Sequence, residues 1–432
     1  LQTFEQFFFE RSRHIAGRPH ARSASFTLRP GMSHKRDDAI RWAVWKVLYF
    51  LATTVVAPGV RTKVVRHVKF PRRGPLLLVS NHPSPWDPMI VPWSVIRQVH
   101  NLGTDQLLRV PYFGWMMPYF SMIPFKKGMK DPAALAEVER RVRKGHAALI
   151  FAEGDRTWTG RSNPIKPGIG RMAKRLGVPV GFIRITTGHM QWPRWAKYPR
   201  SIPIIVEHRA LKTYDESATP EQIVDDVARY ISVDPYQVEV PRRSFGRRLA
   251  WGLPEFMWAC PHCHRQGGLE LVVDDDDCVL CHGCGARWRV DLGNWMRAEA
   301  GPATDMHIDA AYRGVIEHFG ELPVADPQRF GEEGVALDGE VEFQRIHYGQ
   351  VEPEILGRGH LELYPDCLRF TPDVGEPLLL PFEPIKAVLM QVGNKLQIRT
   401  AEDNFQIMPT AGSTNMWKHF IDRHLELYRE SA

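Results

Sequence analysis

The order of apolar and polar positions divides the chain into stretches of different period. An apolar run of about 16 residues, Trp42 to Ala57, carries Trp42, Trp45 and Tyr49 at helical spacing and Lys46 inside it. From about residue 75, short apolar strands alternate with helical stretches, the pattern of an α/β layer. Pro75–Ser80 reads as a buried strand running into Asn81 and His82. Asp131-Pro132 predicts a helix start, with Leu135, Val138 and Val142 on one face and a stop at Gly145. Ala147–Phe151 then reads as a strand, Gly170–Leu176 as a helix, and Val178–Ile185 and Ile202–Val206 as further strands. Strand-like alternation returns from about residue 335: 359–363 and 367–370 form a hairpin, and 385–390, 396–399 and 405–408 add strands. Met416, Trp417, Phe420, Ile421 and Leu425 line one face of a closing helix.

The expected organisation is a poorly ordered extension over 1–35, an α/β domain with a mixed sheet flanked by helices over 36–235, a small zinc ribbon over 255–295, and a mainly-β domain with a terminal helix over 335–432. The apolar run falls short of the ~20 residues a spanning helix needs. With Arg61, Lys63, Arg66, Lys69, Arg72 and Arg73 following, it reads either as a helix lying in a lipid interface or as a core-packing helix. Residues 191–200 interleave Trp192, Trp195 and Tyr198 with Arg194, Lys197 and Arg200, which predicts an interfacial anchor loop or ordinary loop packing.

Charge sharpens this picture. The net +7 hides an excess of roughly +23 before residue 210 and a deficit of roughly −16 after it. The basic part suits an anionic membrane surface, a nucleic acid or a phosphate-bearing ligand, and motifs must choose among them.

Asn81-His82-Pro83-Ser84-Pro85-Trp86-Asp87 follows a buried strand with an imidazole and, five residues on, a carboxylate. The prolines disfavour a continuous helix, so the chain can turn and bring Asp87 back to His82. A carboxylate on one ring nitrogen fixes the tautomer and leaves the other nitrogen to accept a proton from a substrate hydroxyl. Such a pair alone is more often structural. A second motif, Phe151-Ala152-Glu153-Gly154-Asp155-Arg156-Thr157, ends another strand with a carboxylate, a glycine and a guanidinium, where open α/β sheets bind ligands.

Together these motifs resemble the glycerolipid acyltransferase family, whose best-known members acylate lysophosphatidic acid or glycerol 3-phosphate, over about residues 40–235. The family's first block is met by Asn81, His82 and Asp87. Its third is met by Phe151, Glu153, Gly154 and Arg156, with Ala152 and Thr157 in place of proline and serine. The second appears as Ser121–Lys127, with Ser121 standing for a glycine and Lys127 for an arginine, and the fourth as Val178-Pro179-Val180. The resemblance implies His82 as general base, Asp87 as its orienter, and Asn81, Lys127, Glu153, Gly154 and Arg156 around the acceptor. The implied donor is acyl-CoA or acyl carrier protein, and the acceptor a lysolipid such as 1-acylglycerol 3-phosphate. The clustered cysteines favour a reducing compartment, so with the interfacial helix the expected place is peripheral or monotopic on the cytoplasmic face of a membrane.

Cys260-x2-Cys263 and Cys281-x2-Cys284, with 17 residues between them, have the spacing of a structural zinc site, Gly285 suits the turn after the second pair, and Cys278 is left spare. Asp274–Asp277 between the pairs argues against nucleic acid. The last hundred residues resemble a pleckstrin-homology or GRAM-like module in strand count and final helix. A non-enzymatic lipid-binding or sensing protein is the alternative, opposed by the intact His82, Asp87 and Glu153.

Overall fold

The computed structural model describes residues 34–105, 121–321, 337–347, 353–391, 394–410 and 412–431, so the expectation for residues 1–33 lies outside the described residues. The chain gathers into two compact units. Of the described residues, the first holds those up to Lys127, Asp131–Leu249 and Asp291–Asn294; the second holds Gly128–Lys130, Ala250–Val290 and those from Trp295 onward.

The first unit is built on a seven-stranded sheet. Its strands are β1 (Lys63–Arg66), β2 (Leu76–Ser80), β3 (Val99–Thr104), β4 (Met122–Phe125), β5 (Ala147–Phe151), β6 (Val180–Ile185) and β7 (Ile205–Lys212), in the order β1-β7-β6-β2-β5-β3-β4. Every neighbouring pair is parallel except β6 and β7, so the sheet is mixed, as its pattern predicts. β2 and β5 are central, which is why they read as unbroken apolar runs. Leu77, Val79 and Ala148 face a core shared with Val138 and Val142 of helix Pro132–Arg143, Met172 of helix Gly168–Leu176 and Val227 of helix Pro220–Ile231. Leu76, Leu78, Ala147 and Leu149 face the opposite core with Ile90 and Val91 of helix Asp87–Val95. Caps follow the sequence signals: Asp131 accepts from Ala134 N–H, and Thr219 and Gln222 form a reciprocal capping box.

Two expectations shift. The last strand is Ile205–Lys212 rather than Ile202–Val206, because its pairing with β6 continues to Lys212 past the apolar run. Residues 191–200 are no exposed anchor: Gln191, Trp192, Trp195 and Arg200 are buried, and Trp192 Nε1 donates to Ala196 O at 3.1 Å. Their aromatic rings fill the interior of the unit instead of offering an apolar face to lipid.

At the other end, helix His34–Leu51 continues through a wide turn at Ala52–Val56 to Gly59. The stretch Trp42–Gly59 is long and apolar enough, by length and composition alone, to cross a membrane. Trp42, Val47, Phe50 and Val55 are each more than half exposed along it.

The second unit carries two antiparallel sheets. Strands β8 (Leu269–Val272), β9 (Asp275–Cys281), β10 (Arg287–Val290), β11 (Trp295–Ala300) and β12 (Met306–His307) form a five-stranded meander that leads into helix Ile308–Glu321. A seven-stranded sheet follows, β13 (Leu337–His347), β14 (Glu354–Leu363), β15 (Cys367–Pro372), β16 (Leu378–Pro381), β17 (Ala387–Gln391), β18 (Lys395–Arg399) and β19 (Asp403–Pro409). Its order is β16-β15-β14-β13-β19-β18-β17, and it ends in helix Thr414–Ser431. Trp417, Phe420, Ile421 and Leu425 are buried along one face of that helix, as the apolar pattern predicts.

Candidate functional site

β2 and β5 lie side by side in parallel, with Ser80 opposite Phe151, so their C-terminal ends open at one edge and their following loops meet there. The β2 loop turns at Pro83-Ser84-Pro85 and enters the next helix at Asp87, whose carboxylate folds back. His82 Nδ1 lies 2.8 Å from Asp87 Oδ2, and the same oxygen accepts Ser84 N–H at 2.8 Å. The Asp87 side chain is fully buried, while that of His82 keeps 18% exposure. The imidazole also stacks on Phe151, with ring centroids 4.0 Å apart.

Nδ1–H donating to Asp87 leaves Nε2 as the basic nitrogen. Burial lowers the His82 pKa from its usual value despite the hydrogen bond to Asp87, and the nearby Arg156 charge lowers it further. Burial likewise pushes the Asp87 carboxyl up, against the hydrogen bonds from His82 and Ser84. The imidazole is therefore held neutral around neutral pH, the state a proton acceptor needs.

Asn81 is buried, and its amide is taken up by one neighbouring residue. Its Nδ2 donates to Ile185 O and its Oδ1 accepts Ile185 N–H, both at 2.8 Å. This pair ties the end of β2 to the end of β6 one residue before His82. Glu153 is also buried. It accepts Asn163 N–H at 2.8 Å and the His82 N–H, while Thr157 N–H donates to His82 O. Burial pushes the Glu153 carboxyl up to about 7. Gly154 sits beside it at φ +75°, a backbone setting that disfavours any side chain, and is exposed.

The cationic side of the edge centres on Asp155. Its Oδ1 pairs with Lys127 Nζ at 2.7 Å and with an Arg194 guanidinium nitrogen at 2.8 Å, and it accepts Arg156 N–H at 2.7 Å. Burial would raise the Asp155 carboxyl, but Arg194 and Lys127 outweigh it and hold it at about 2. Thus His82, Asp87, Lys127, Glu153, Gly154 and Arg156 converge on one edge, with Asn81 behind them. Sequence reasoning missed Arg194 and the role of Asp155. Arg194 lies 38 residues past Arg156 in the aromatic and basic stretch read as an anchor loop or ordinary packing, so nothing in the sequence tied it to this edge, and only the long return from β6 brings it back.

Ser121, which stands where the family pattern has a glycine, has φ +59°, so the backbone there takes the form a glycine favours.

In the second unit, the sulfurs of Cys260, Cys263, Cys281 and Cys284 all lie within 4.8 Å of one another. Two of the separations are 3.9 Å (Cys260–Cys284) and 3.6 Å (Cys263–Cys281). Four thiolates at ~2.3 Å from a tetrahedral zinc stand ~3.8 Å apart, so the donor set fits that ion. The N–H groups of His262 and Gly283 point at Cys260 and Cys281 sulfur, respectively, and Gly285 turns at φ +72°. Cys278 stands outside the group, its thiol bonded to Glu299.

Comparison with known proteins places residues 61–185 in the protein-family model described as Acyltransferase. A 1-acyl-sn-glycerol-3-phosphate acyltransferase of Pseudomonas aeruginosa is 29% identical over 172 residues, 38% of this chain and 63% of the relative. A chloroplast enzyme of the same name from Brassica napus is 31% identical over 110 residues, 24% of this chain and 31% of its own. The chain therefore spans less than two thirds of the length of either relative. The crystal structure of the 1-acyl-sn-glycerophosphate acyltransferase from Thermotoga maritima aligns with a TM-score of 0.40 at 19% identity, covering 48% of this chain and 82% of that one.

Proposed function

We propose that the acyltransferase domain moves a fatty acyl group from a thioester donor, acyl-CoA or acyl carrier protein, to the free hydroxyl of a lysophospholipid such as 1-acylglycerol 3-phosphate. The observation that carries this reading is the 2.8 Å contact between His82 and Asp87 beside the Glu153–Arg156 loop. Nε2 of His82 takes the acceptor's hydroxyl proton as that oxygen attacks the thioester carbonyl. The tetrahedral intermediate collapses with departure of the thiolate, which receives the proton back from the imidazolium. No acyl-enzyme is formed. Asp87 holds the tautomer and offsets the charge that appears on the ring.

Lys127 and Arg156 supply the positive charge for the acceptor phosphate. Asn81 and Glu153 act behind the site, because their polar atoms hold the Ile185 and His82 backbone. The exposed apolar helix over Trp42–Gly59 seats the enzyme at the membrane from which a lysolipid is drawn, on its cytoplasmic face. In the second unit, Cys260, Cys263, Cys281 and Cys284 hold a zinc ion whose closed four-sulfur set makes it structural. On this reading residues 255–295 are a zinc ribbon, and the C-terminal β domain keeps its proposed likeness to a PH or GRAM module.

The test is transfer of labelled acyl chains from acyl-CoA and acyl carrier protein to 1-acylglycerol 3-phosphate by the full chain in lipid vesicles. His82→Ala should cost ~10²–10⁴ in kcat/KM with folding intact. Full turnover by His82→Ala would remove the base assignment, and absence of transfer by the native protein would remove the reading.

A further inference from the structure

Residues 186–204, which join β6 to β7, lie beyond the matched family region of 61–185. They nevertheless pack on both loops of the site. On the His82 side, a side-chain carbon at Gly188 would stand 2.9 Å from Pro83 and 3.2 Å from Ser84, so only glycine allows this approach. The Trp192 and Trp86 rings sit 6.2 Å apart just before Asp87. On the Arg156 side, one Arg194 guanidinium nitrogen bonds Asp155 Oδ1 at 2.8 Å and the Arg156 carbonyl at 2.9 Å. The guanidinium lies 4.1 Å over the Trp158 ring, and the Arg194 side chain is only 6% exposed.

An exposed ion pair with this geometry would contribute little and would position nothing. Arg194 differs in two respects. It is enclosed, and one of its guanidinium nitrogens bonds two consecutive residues, the carboxylate of Asp155 and the carbonyl of Arg156. A guanidinium stacked on an indole has little freedom left, so it fixes the peptide that presents Arg156. Since Gly188 and Trp192 belong to the same segment, the His82 loop and the Arg156 loop are set by one piece of chain.

We propose that Arg194 is a positioning residue of the acyl-transfer site, which holds the Asp155-Arg156 peptide so that the Arg156 guanidinium stands beside the His82–Asp87 pair. This rests on the acyl-transfer reading for its kinetic consequence, but not for its structural one. The Arg156 charge lowers the His82 pKa, so releasing Arg156 should let the imidazole titrate at higher pH.

The experiment compares the full chain with Arg194→Gln and Arg194→Lys by NMR titration of ring-labelled histidine, with the His82 signal identified by its loss in His82→Ala. Acyl transfer to 1-acylglycerol 3-phosphate is measured on the same samples. Arg194→Gln should raise the His82 titration midpoint and lower kcat/KM at least 10-fold, and Arg194→Lys should recover part of both. A His82 midpoint equal to the native one in Arg194→Gln overturns the proposal, whether or not the rate falls. If the native protein transfers no acyl group, the acyl-transfer reading fails, and the His82 midpoint still decides the positioning role. Should Arg194→Gln not fold, Arg194→Lys decides alone: a raised His82 midpoint with a lowered rate supports the proposal, and a native midpoint overturns it.

Discussion

The cysteine cluster draws its four donors from Cys260 to Cys284, on two short turns whose own backbone N–H groups already aim at sulfur. The His82 edge draws on the ends of β2, β4 and β5 and on the segment after β6, from Asn81 to Arg194, and no two of those stretches are continuous in sequence. A local site depends on its ligand for cohesion, since four thiolates repel one another without a cation between them. A dispersed site depends on the sheet for cohesion, since parallel pairing of β2 with β5 places its loops together before any substrate arrives. The two regions should therefore fail in different ways.

The sharpest break between them is expected at Cys281→Ser. Zinc binding of this type contributes ~10 kcal/mol to folding in small domains, so the substitution should abolish bound zinc and unfold the meander around it. Metal analysis together with hydrogen exchange over residues 258–307 reads both, and native exchange in the metal-free variant would show that the cluster is not structural. By contrast, Asp87→Asn should leave thermal unfolding nearly unchanged while kcat/KM falls by ~10²–10⁴, because the amide no longer selects the His82 tautomer. Loss of rate and stability in parallel would place Asp87 with the structural groups instead.

The smallest effect concerns Glu153, whose folded pKa stands near 7 against a usual 4.5. In that interval the folded state retains a proton that the unfolded chain has released. The stability this proton confers is fully present below about pH 4.5 and is lost as pH rises toward 7, by roughly 3 kcal/mol in all. Glu153→Gln should flatten this slope in denaturant midpoints measured between those pH values. A slope that stays as steep would assign it to other groups.

Much of the first unit was legible because its strands are short, apolar and bounded by strong signals. Asp131-Pro132 and Gly145 bracket their helix as the pattern indicates. The prolines at 83 and 85 allow the turn that lets Asp87 reach His82. Residues 191–200 were the opposite case. Interleaved tryptophan and arginine look alike whether they face lipid or an interior, because the same rings satisfy either environment. Only packing distinguishes them, and here Trp192 and Trp195 are buried.

What the amino-acid order determined alone is whatever rests on near neighbours: helix starts and stops, the buried character of β2 and β5, the two cysteine knuckles, and the spacing of His82 and Asp87. What the tertiary structure decided is which distant charges share that edge. Asp155 takes both Lys127 and Arg194, Asn81 bonds the Ile185 backbone, and Glu153 bonds the His82 and Asn163 backbone and the Ser162 side chain. The reason is physical. Local signals act through bonds and turns a few residues long, whereas the partners of a buried charge are settled by the sheet order and by burial, which penalises an ionised group left without its counterpart.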